Sequence, residues 1–182
     1  MLSLNHGTYP FVTSRDVLAS SMLSDAGIGP TAVREVLGVM RTYPIRVAGN
    51  SGPMWAPELQ WSDVAKSAGY EHLEERTTVT NRVRRVSELS WEALFDAVML
   101  NRPTGIFITF ADYINAADRK VRDWNALSQK TKDYIENVER QLNVPVYGIG
   151  TGDKPEDFCW MGFESYAKFS RNVVRAKIND VA

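Results

Sequence analysis

The sequence has a single cysteine, Cys159, in 182 residues. One thiol excludes an internal disulfide framework and is typical of proteins from a reducing compartment. No stretch approaches the roughly 18 consecutive apolar residues that a membrane-spanning helix requires. Residues 1–10 carry neither the basic flank nor the apolar run of a secretory signal. We therefore expect a cytoplasmic protein with no membrane partner.

An excess of charge of one sign is also missing, because 21 basic residues face 22 acidic ones and the net charge is −1. No global basic field is available to hold a nucleic-acid backbone, so anion binding has to be local. His6 and His72 are the only histidines, and neither has a cysteine or second histidine at metal-binding spacing. Cys159 lies beside Trp160 without a basic partner, which favours a packed side chain over a nucleophile. We expect no metal ligands and no nucleic-acid partner.

Helical and extended patterns alternate along the chain, and 44% of the residues are hydrophobic. This composition suits a compact α/β fold with a buried sheet. Apolar spacing and breakers predict helices over about 31–41, 58–68, 91–99, 129–142 and 162–179. Short or buried strands are predicted at about 2–4, 45–47, 104–110 and 144–149.

Residues 77–86 form the segment richest in potential ligand-binding groups, and their polarity predicts a loop or hairpin. In extended backbone Arg82 and Arg84 project to the same side. Two neighbouring guanidinium groups can pair carboxylate, phosphate or ribose oxygens, and Thr78 and Thr80 add hydroxyl donors. From spacing alone, a solvated basic loop remains an open alternative.

Two further segments follow predicted strands, where ligands of open α/β sheets gather. Asp112 comes after the strand at 104–110 and is placed to accept from a base N–H or a ribose hydroxyl; a capping aspartate is the alternative. Residues 150–154 read GTGDK. Their spacing differs from a phosphate-binding loop, so a plain turn is the favoured interpretation from the pattern.

Several of these segments resemble the adenylosuccinate synthetase family. Residues 6–14, HGTYPFVTS, resemble the family segment H-G-T-Y-P-[YF]-V-T-S, and residues 80–85, TNRVRR, are similar to T-G-R-x-R-R with Asn81 in place of glycine. Residues 109–112, TFAD, are similar to T-K-x-D, and residues 150–152 to the turn [SG]-x-G-P. The motifs occur in family order over about residues 4–155.

The resemblance implies the C-terminal portion of an adenylosuccinate-synthetase-like, P-loop-related fold, a mixed and largely parallel sheet with flanking helices. It implies a ligase that joins L-aspartate to C6 of a purine nucleotide, with a nucleoside triphosphate first phosphorylating the purine O6. Mg²⁺ is the implied cofactor, held mainly by phosphates and by the N-terminal half of the family fold. The implied partners are the purine nucleotide, the triphosphate and L-aspartate.

The resemblance also implies roles for residues of this sequence. Aspartate binding would fall to Thr78, Thr80, Arg82 and Arg84. The purine nucleotide would be bound by Thr13, Val47 and Arg82. The donor triphosphate would be bound by Arg84, Asp112, Thr151 and Gly152.

The family's G-D-E-G-K-G-K loop, with its catalytic aspartate, and its G-H-T histidine have no counterpart in this sequence. We therefore expect no catalytic residue in this chain, and activity only with a polypeptide that supplies the N-terminal half, in a homo- or hetero-oligomer. The start at Met1, just before the H-G-T motif, favours a split gene or a deliberate fragment. A non-catalytic nucleotide-binding or assembly protein of the same family is the alternative.

Phe110 replaces the lysine of T-K-x-D, which belongs to guanine recognition in the family. This departure makes ATP as well as GTP a candidate donor, and it favours the phage-type branch that acts on dGMP over a conventional enzyme that acts on IMP. We expect residues 1–157 to form the family domain. Residues 158–182 are expected to add a helical extension whose apolar residues pack against the missing half: Tyr166, Phe169, Val173, Val174 and Ile178.

Overall fold

The computed structural model describes residues 2–161. These residues form two compact units: the first holds the residues up to 36 together with 42–103, and the second holds 37–41 with the residues from 104 onward. In chain order the elements are α1 (Ala19–Asp25), β1 (Leu37–Arg41), β2 (Ile45–Arg46), β3 (Glu58–Leu59), α2 (Trp61–Ala68), β4 (Arg85–Ser87), α3 (Trp91–Asn101), β5 (Gly105–Thr109), α4 (Gln129–Leu142), β6 (Val146–Gly150) and β7 (Phe158–Trp160).

The first unit is built on a small antiparallel sheet of order β2-β4-β3. Val86 in the central strand and Val64 in α2 are each 1% exposed and form part of its core. The indole Nε1 of Trp61 donates to the carbonyl of Arg84 at 2.7 Å. This bond ties the start of α2 to the segment that leads into β4, so the arginine-rich loop has a rigid base.

The second unit contains a four-stranded sheet of order β1-β5-β6-β7, in which β1, β5 and β6 are parallel and β7 is antiparallel to β6. Ile108 and Ile149 are 0% exposed, as expected for central strands. Ile135 and Val138, one turn apart on α4, are also 0% exposed. The mixed, mainly parallel sheet with flanking helices confirms the predicted α/β fold.

A buried polar cluster fixes the start of α4. The Ser128 hydroxyl accepts from the backbone N–H of Thr131 and donates to Asp118 at 2.6 Å. Asp118, 1% exposed, also accepts from the Ser128 N–H at 2.7 Å and from the Thr131 hydroxyl at 2.5 Å. Asn143 ends the helix in the left-handed conformation with φ 51°, which asparagine tolerates better than most residues.

Most predicted elements of the second half are confirmed, as are the strand at 45–46 and the helix that Ser90 caps. The helix predicted over 31–41 is wrong, because the chain forms a 3-10 turn at Pro30–Ala32 and then β1. Apolar residues from Val36 to Met40 fit either a helical stripe or a buried strand. Parallel pairing with β5 decides the conformation, and sequence periodicity cannot detect that pairing.

The predicted strand at 2–4 is also wrong. Leu2 and Ser3 have no regular secondary structure and Leu4 begins a turn. Ser3 is fully buried, with its hydroxyl donating to Asp16 at 2.6 Å. The first turn of the helix predicted at 58–68 is instead strand β3. Residues 158–160 form β7 of the sheet. The predicted final helix, 162–179, lies outside the described residues, and the boundary at 157/158 remains a prediction.

The helices within residues 2–161 include none with the length and apolar character needed to cross a membrane.

Replacing Asp118 by alanine removes the common acceptor of three hydrogen bonds and leaves the Ser128 and Thr131 groups unpaired in a buried site. We expect the free energy of unfolding to fall by about 3 kcal/mol, measured by urea denaturation. Asp133→Ala on the exposed side of the same helix, where Asp133 accepts from Gln129, is the matched control and should change it by less than about 0.5 kcal/mol. Equal effects of the two substitutions would contradict the assigned role.

Candidate functional site

The arginine-rich segment forms a tight hairpin. The Thr77 N–H donates to the carbonyl of Arg82 at 2.9 Å, and the Arg84 N–H donates to the carbonyl of Glu75 at 2.8 Å. Asn81 has φ 50°, a left-handed conformation that suits glycine or asparagine. The asparagine that departs from the family motif therefore fills a position where glycine is otherwise favoured, and the hairpin is preserved.

The two arginines of the predicted aspartate site differ in their surroundings. The half-buried Arg84 has its Nε 3.9 Å from a carboxylate oxygen of Glu75. Arg82 is exposed, and among residues 2–161 its guanidinium has no hydrogen bond or ion pair, since only its main chain is engaged. Arg82 and Arg84 flank Val83, which pairs with Arg76 across the hairpin. We infer that their side chains lie on the same side of it.

The hydroxyl groups at the hairpin tip lie close to Arg82. The hydroxyl oxygens of Thr77 and Thr80 are 2.6 Å apart, and the Thr77 oxygen accepts from the Arg82 N–H at 3.1 Å. Thr78 and Thr80 are exposed. The hairpin thus places hydroxyls beside a solvent-facing guanidinium, and the predicted role of these groups in binding aspartate remains a prediction.

Arg85 makes its side-chain contacts to other residues of the first unit. Its guanidinium pairs with both carboxylate oxygens of Glu58, and its Nη1 donates to the Ser51 hydroxyl at 3.0 Å and the Gly52 carbonyl at 2.8 Å. The hydrogen bond from Arg85 lowers the pKa of Glu58, and the reciprocal bond raises the pKa of Arg85. Arg46 donates to the carbonyls of residues 53 and 11, and burial, followed by the Arg85 charge, lowers its pKa. These two arginines hold the loop between β2 and β3.

The predicted purine-nucleotide residues lie in the same unit. Val47 is 52% exposed, and its carbonyl accepts from the Ser51 hydroxyl at 2.6 Å. The Thr13 hydroxyl lies 2.9 Å from the Leu2 carbonyl and 2.8 Å from the Arg15 carbonyl. A hydroxyl has one proton to donate, so its oxygen keeps lone pairs for a ligand donor. Thr13 is exposed.

A pocket of about 420 Å³ lies at the carboxyl ends of β5 and β6 in the second unit. Asp112 and Gly152, both predicted donor-site residues, line it. The complete lining consists of Thr109, Phe110, Asp112, Tyr113, Arg119, Gly150, Gly152 and Asp153. This position matches the rule that ligands of open α/β sheets bind beyond the carboxyl ends of the strands.

Phe110 forms one wall of the pocket in an uncommon conformation. Its φ of 67° is unusual for a bulky residue. The Arg41 guanidinium carbon lies 3.6 Å from the centre of its ring, and the Tyr113 ring centroid is 4.9 Å away. The Arg41 cation above the Phe110 ring and the Tyr113 ring beside it stabilise the orientation of Phe110.

Thr151 does not line the pocket, because its side chain is fully buried and its hydroxyl donates to the Val121 carbonyl at 2.6 Å. Its N–H donates to the Asp157 carbonyl, and its own carbonyl accepts from Lys120. The interactions of Thr151 therefore hold the loop that carries Gly152, and its predicted contact with the donor remains a prediction.

Asp157 anchors the loop from residue 151 to residue 157. It is 1% exposed and accepts from Arg122 Nε at 3.1 Å and Nη2 at 2.8 Å. A Cβ at Gly152 would lie 2.6 Å from the Asp157 carboxylate, so only glycine allows this close approach. The Arg122 hydrogen bond lowers the pKa of Asp157 below its usual value.

Groups of three or more His, Cys, Asp or Glu side chains able to hold a metal do not occur in the described part of the chain. The pocket offers two carboxylates, Asp112 and Asp153.

Sequence reasoning missed three residues of this site: Arg41, Tyr113 and Arg119. Arg41 ends β1, which pairs in parallel with β5. Parallel strands bring their carboxyl ends to one edge, so a correct strand prediction at 37–41 would have placed Arg41 beside Phe110.

The mainly parallel sheet, with a pocket beyond the carboxyl ends of β5 and β6, defines an α/β protein of the kind that binds ligands at that edge. A sequence profile of the adenylosuccinate synthetase family matches residues 1–119. The chain is 42% identical over 152 residues to adenylosuccinate synthetase of Methanocaldococcus jannaschii, covering 84% of this chain and 42% of that protein. It is 39% identical over 155 residues to adenylosuccinate synthetase of Pyrococcus horikoshii, and the match covers 85% of this chain and 44% of that protein. The chain belongs to the adenylosuccinate synthetase family, and it spans less than half the length of these relatives.

Two solved structures share the fold. Fully ligated adenylosuccinate synthetase from Plasmodium falciparum gives a TM-score of 0.74 at 20% identity, covering 88% of this chain and 48% of that one. Succinoaminodeoxyadenylate synthetase of cyanophage S-2L, bound to dGMP and to dATP as an energy donor, gives a TM-score of 0.67 at 30% identity. This match covers 92% of this chain and 47% of that one.

Asp157→Asn should destabilise the protein in a pH-dependent way. The native pKa of Asp157 is lowered, so its stabilising effect is fully present above the unfolded pKa of about 3.9 and is lost as pH falls through the native pKa. The difference in free energy of unfolding between wild type and variant should therefore be constant near neutrality and shrink below about pH 4. Chemical denaturation at a series of pH values measures it. A difference that does not change with pH would contradict a role for the charged carboxylate.

Proposed function

We propose that this chain supplies the aspartate-binding and nucleotide-binding part of a purine nucleotide ligase, which joins L-aspartate to C6 of dGMP or IMP with hydrolysis of a nucleoside triphosphate. The observation that carries the proposal is the solvent-facing guanidinium of Arg82 beside Arg84, on a hairpin that matches the family's arginine motif. Membership of the adenylosuccinate synthetase family supports the reaction class.

Arg82 and Arg84 bind the two carboxylates of aspartate in this proposal. A guanidinium group can donate two parallel hydrogen bonds to a carboxylate, which fixes orientation as well as position. The exposed hydroxyls of Thr78 and Thr80 add donors beside it. Once both carboxylates are held, the amine is oriented toward the purine C6, where it displaces the phosphate that the donor placed on O6. Arg82 also reaches a ribose hydroxyl of the purine nucleotide.

Thr13 and Val47 contact the purine nucleotide. The Thr13 oxygen has lone pairs available for a ligand donor, and Val47 offers an exposed apolar side chain on the loop held by Arg85 and Arg46. Two acceptor nucleotides are candidates. The cyanophage enzyme at 30% identity, which binds dGMP, supports dGMP. The archaeal adenylosuccinate synthetases at 39–42% identity support IMP.

The donor base binds in the pocket at the ends of β5 and β6. Asp112 accepts from an amino group of the base, Gly152 contributes its backbone to the pocket wall, and Arg84 contacts the donor ribose. Phe110 presents a ring where the family has a lysine, which removes a cation suited to the carbonyl of guanine. An adenine donor suits this wall better, in keeping with the dATP bound to the cyanophage relative.

The general base, the general acid and the phosphate-binding loop come from the N-terminal half of the family fold, supplied by a second polypeptide or by a longer form of this one. The decisive experiment combines the full chain with the N-terminal half of the M. jannaschii relative. Phosphate release is then measured with dGMP or IMP, with ATP or GTP, and with or without aspartate. Aspartate-dependent release supports the ligase. Nucleotide binding without release under any combination supports the alternative, a non-catalytic nucleotide-binding or assembly protein.

Arg82→Ala should lower kcat/KM for aspartate by about 100-fold, close to 3 kcal/mol, because a charged contact made to the bound substrate is lost. Arg140→Ala, an exposed arginine on α4 hydrogen-bonded to Asn137, is the matched control and should have no effect. Steady-state phosphate release over a range of aspartate concentrations measures both variants. Unchanged aspartate kinetics in Arg82→Ala would exclude Arg82 from the site.

Phe110→Lys should shift donor preference toward GTP, because an ammonium group at this wall can pair with the guanine carbonyl and because the ring contact with Arg41 is lost. We expect the ratio of kcat/KM for GTP to that for ATP to rise at least about tenfold. Phe110→Leu, which removes the ring without adding charge, is the control and should not raise it. An unchanged ratio in the lysine variant would remove Phe110 from donor selection.

A further inference from the structure

Arg119 lies in the wall of the pocket at the carboxyl ends of β5 and β6, together with Asp112 and Asp153. Among the lining residues in the described part of the chain, it alone has a cationic side chain. Arg119 is exposed, and its guanidinium has no hydrogen-bond or ion-pair partner among residues 2–161. Its donors are therefore available to a ligand in the pocket.

The backbone around Arg119 is held at a fixed position beside the loop that follows β6. The Arg119 N–H donates to the carbonyl of Ala116 at 3.2 Å, and the Lys120 N–H donates to the carbonyl of Thr151 at 3.0 Å. Lys120 has φ 61°, a left-handed conformation that is uncommon for lysine. Uncommon backbone conformations persist where surrounding contacts hold them, and they are concentrated at ligand sites.

Two other basic residues at this edge of the sheet are already engaged. The guanidinium carbon of Arg41 lies 3.6 Å from the centre of the Phe110 ring. The Nζ of Lys120 lies 4.0 Å from a carboxylate oxygen of Asp153. Neither Arg41 nor Lys120 lines the pocket, so the cation that can meet a ligand there is Arg119.

We propose that Arg119 is a specificity-determining residue of the donor site, where it donates a hydrogen bond to a ring nitrogen of the donor's adenine. The nitrogen is one of the two that flank the amino-bearing carbon, on the N7 side or on the N1 side. This inference rests on the proposed function, because it takes the base of the triphosphate as the ligand of the pocket.

Asp112 and Arg119 have opposite hydrogen-bonding characters. An ionised carboxylate only accepts, and a guanidinium only donates. Adenine presents the complementary pair, because its amino group donates and the neighbouring ring nitrogen accepts. Guanine has an oxygen in place of that amino group, so the same orientation would bring two acceptors together at Asp112. The two side chains thus favour adenine when they act on one edge of the base.

Nucleotide binding to the full chain, measured by saturation-transfer NMR titration, tests the inference without requiring catalysis. The probes are ATP, 7-deaza-ATP and 1-deaza-ATP, and each analogue lacks one of the two ring nitrogens. Arg119→Met removes the donors and keeps a long unbranched side chain. We expect it to weaken ATP binding about tenfold. It should weaken the binding of one analogue by less than about twofold, because that analogue has already lost the acceptor, and this analogue identifies the nitrogen.

Arg140→Met, the same substitution at an exposed arginine of α4, is the matched control and should leave all three affinities unchanged. Equal weakening of ATP and both analogues by Arg119→Met would reveal a general attraction to the phosphates and would overturn the inference. Unchanged ATP binding in this variant, or no ATP binding to the wild-type chain, would also overturn it. Failure of the ligase is a separate result: without aspartate-dependent phosphate release the reaction is excluded, whereas a contact between Arg119 and the base, once measured, still stands.

Discussion

Parallel pairing of β1, β5 and β6 is the constraint on which the second unit depends. Because all three strands run in one direction, their carboxyl ends meet at one edge of the sheet. Arg41, Phe110 and Gly150 come together there although more than a hundred residues separate the first from the last. The position of the pocket is therefore a consequence of strand direction, and the segments that follow β5 and β6 supply most of its lining.

Two nearby arginines of the first unit differ in their contacts: Arg85 stabilises the fold, whereas Arg82 faces solvent. Arg85 makes hydrogen bonds to Glu58, Ser51 and Gly52, so its charge is compensated within the fold. Arg82, three residues earlier, is exposed with no such compensation among residues 2–161. A guanidinium that already has internal acceptors has little to gain from a ligand, whereas an exposed one can pair a carboxylate at once. Spacing alone does not distinguish the two arginines, and the contacts of each are needed to tell them apart.

Sequence reasoning succeeded for features that depend on local residues and failed for features that depend on distant ones. Local signals predicted local features correctly: Ser90 and Ser128 cap their helices, and the arginine segment is a hairpin. Asp112 was placed near a ligand site because strand ends are readable from an apolar run, whereas Gly152 was placed there only by the family resemblance; both line the pocket. Non-local features were not readable. Residues 37–41 became a strand through pairing with β5, 64 or more residues away, and Thr151 turned inward to meet Val121.

Helix α3 has exposed apolar surface, and the chain is shorter than its family relatives. The eleven residues of α3 include no buried one, and Phe95 and Met99 are 45% and 60% exposed. A helix that is apolar around most of its surface normally lies inside a larger structure, and the chain spans less than half of its family relatives. The N-terminal half that the proposed function requires would account for both observations by covering α3. In the proposed ligase, the same association would supply the catalytic groups and the cover for this apolar surface, so loss of that contact would affect stability and activity together.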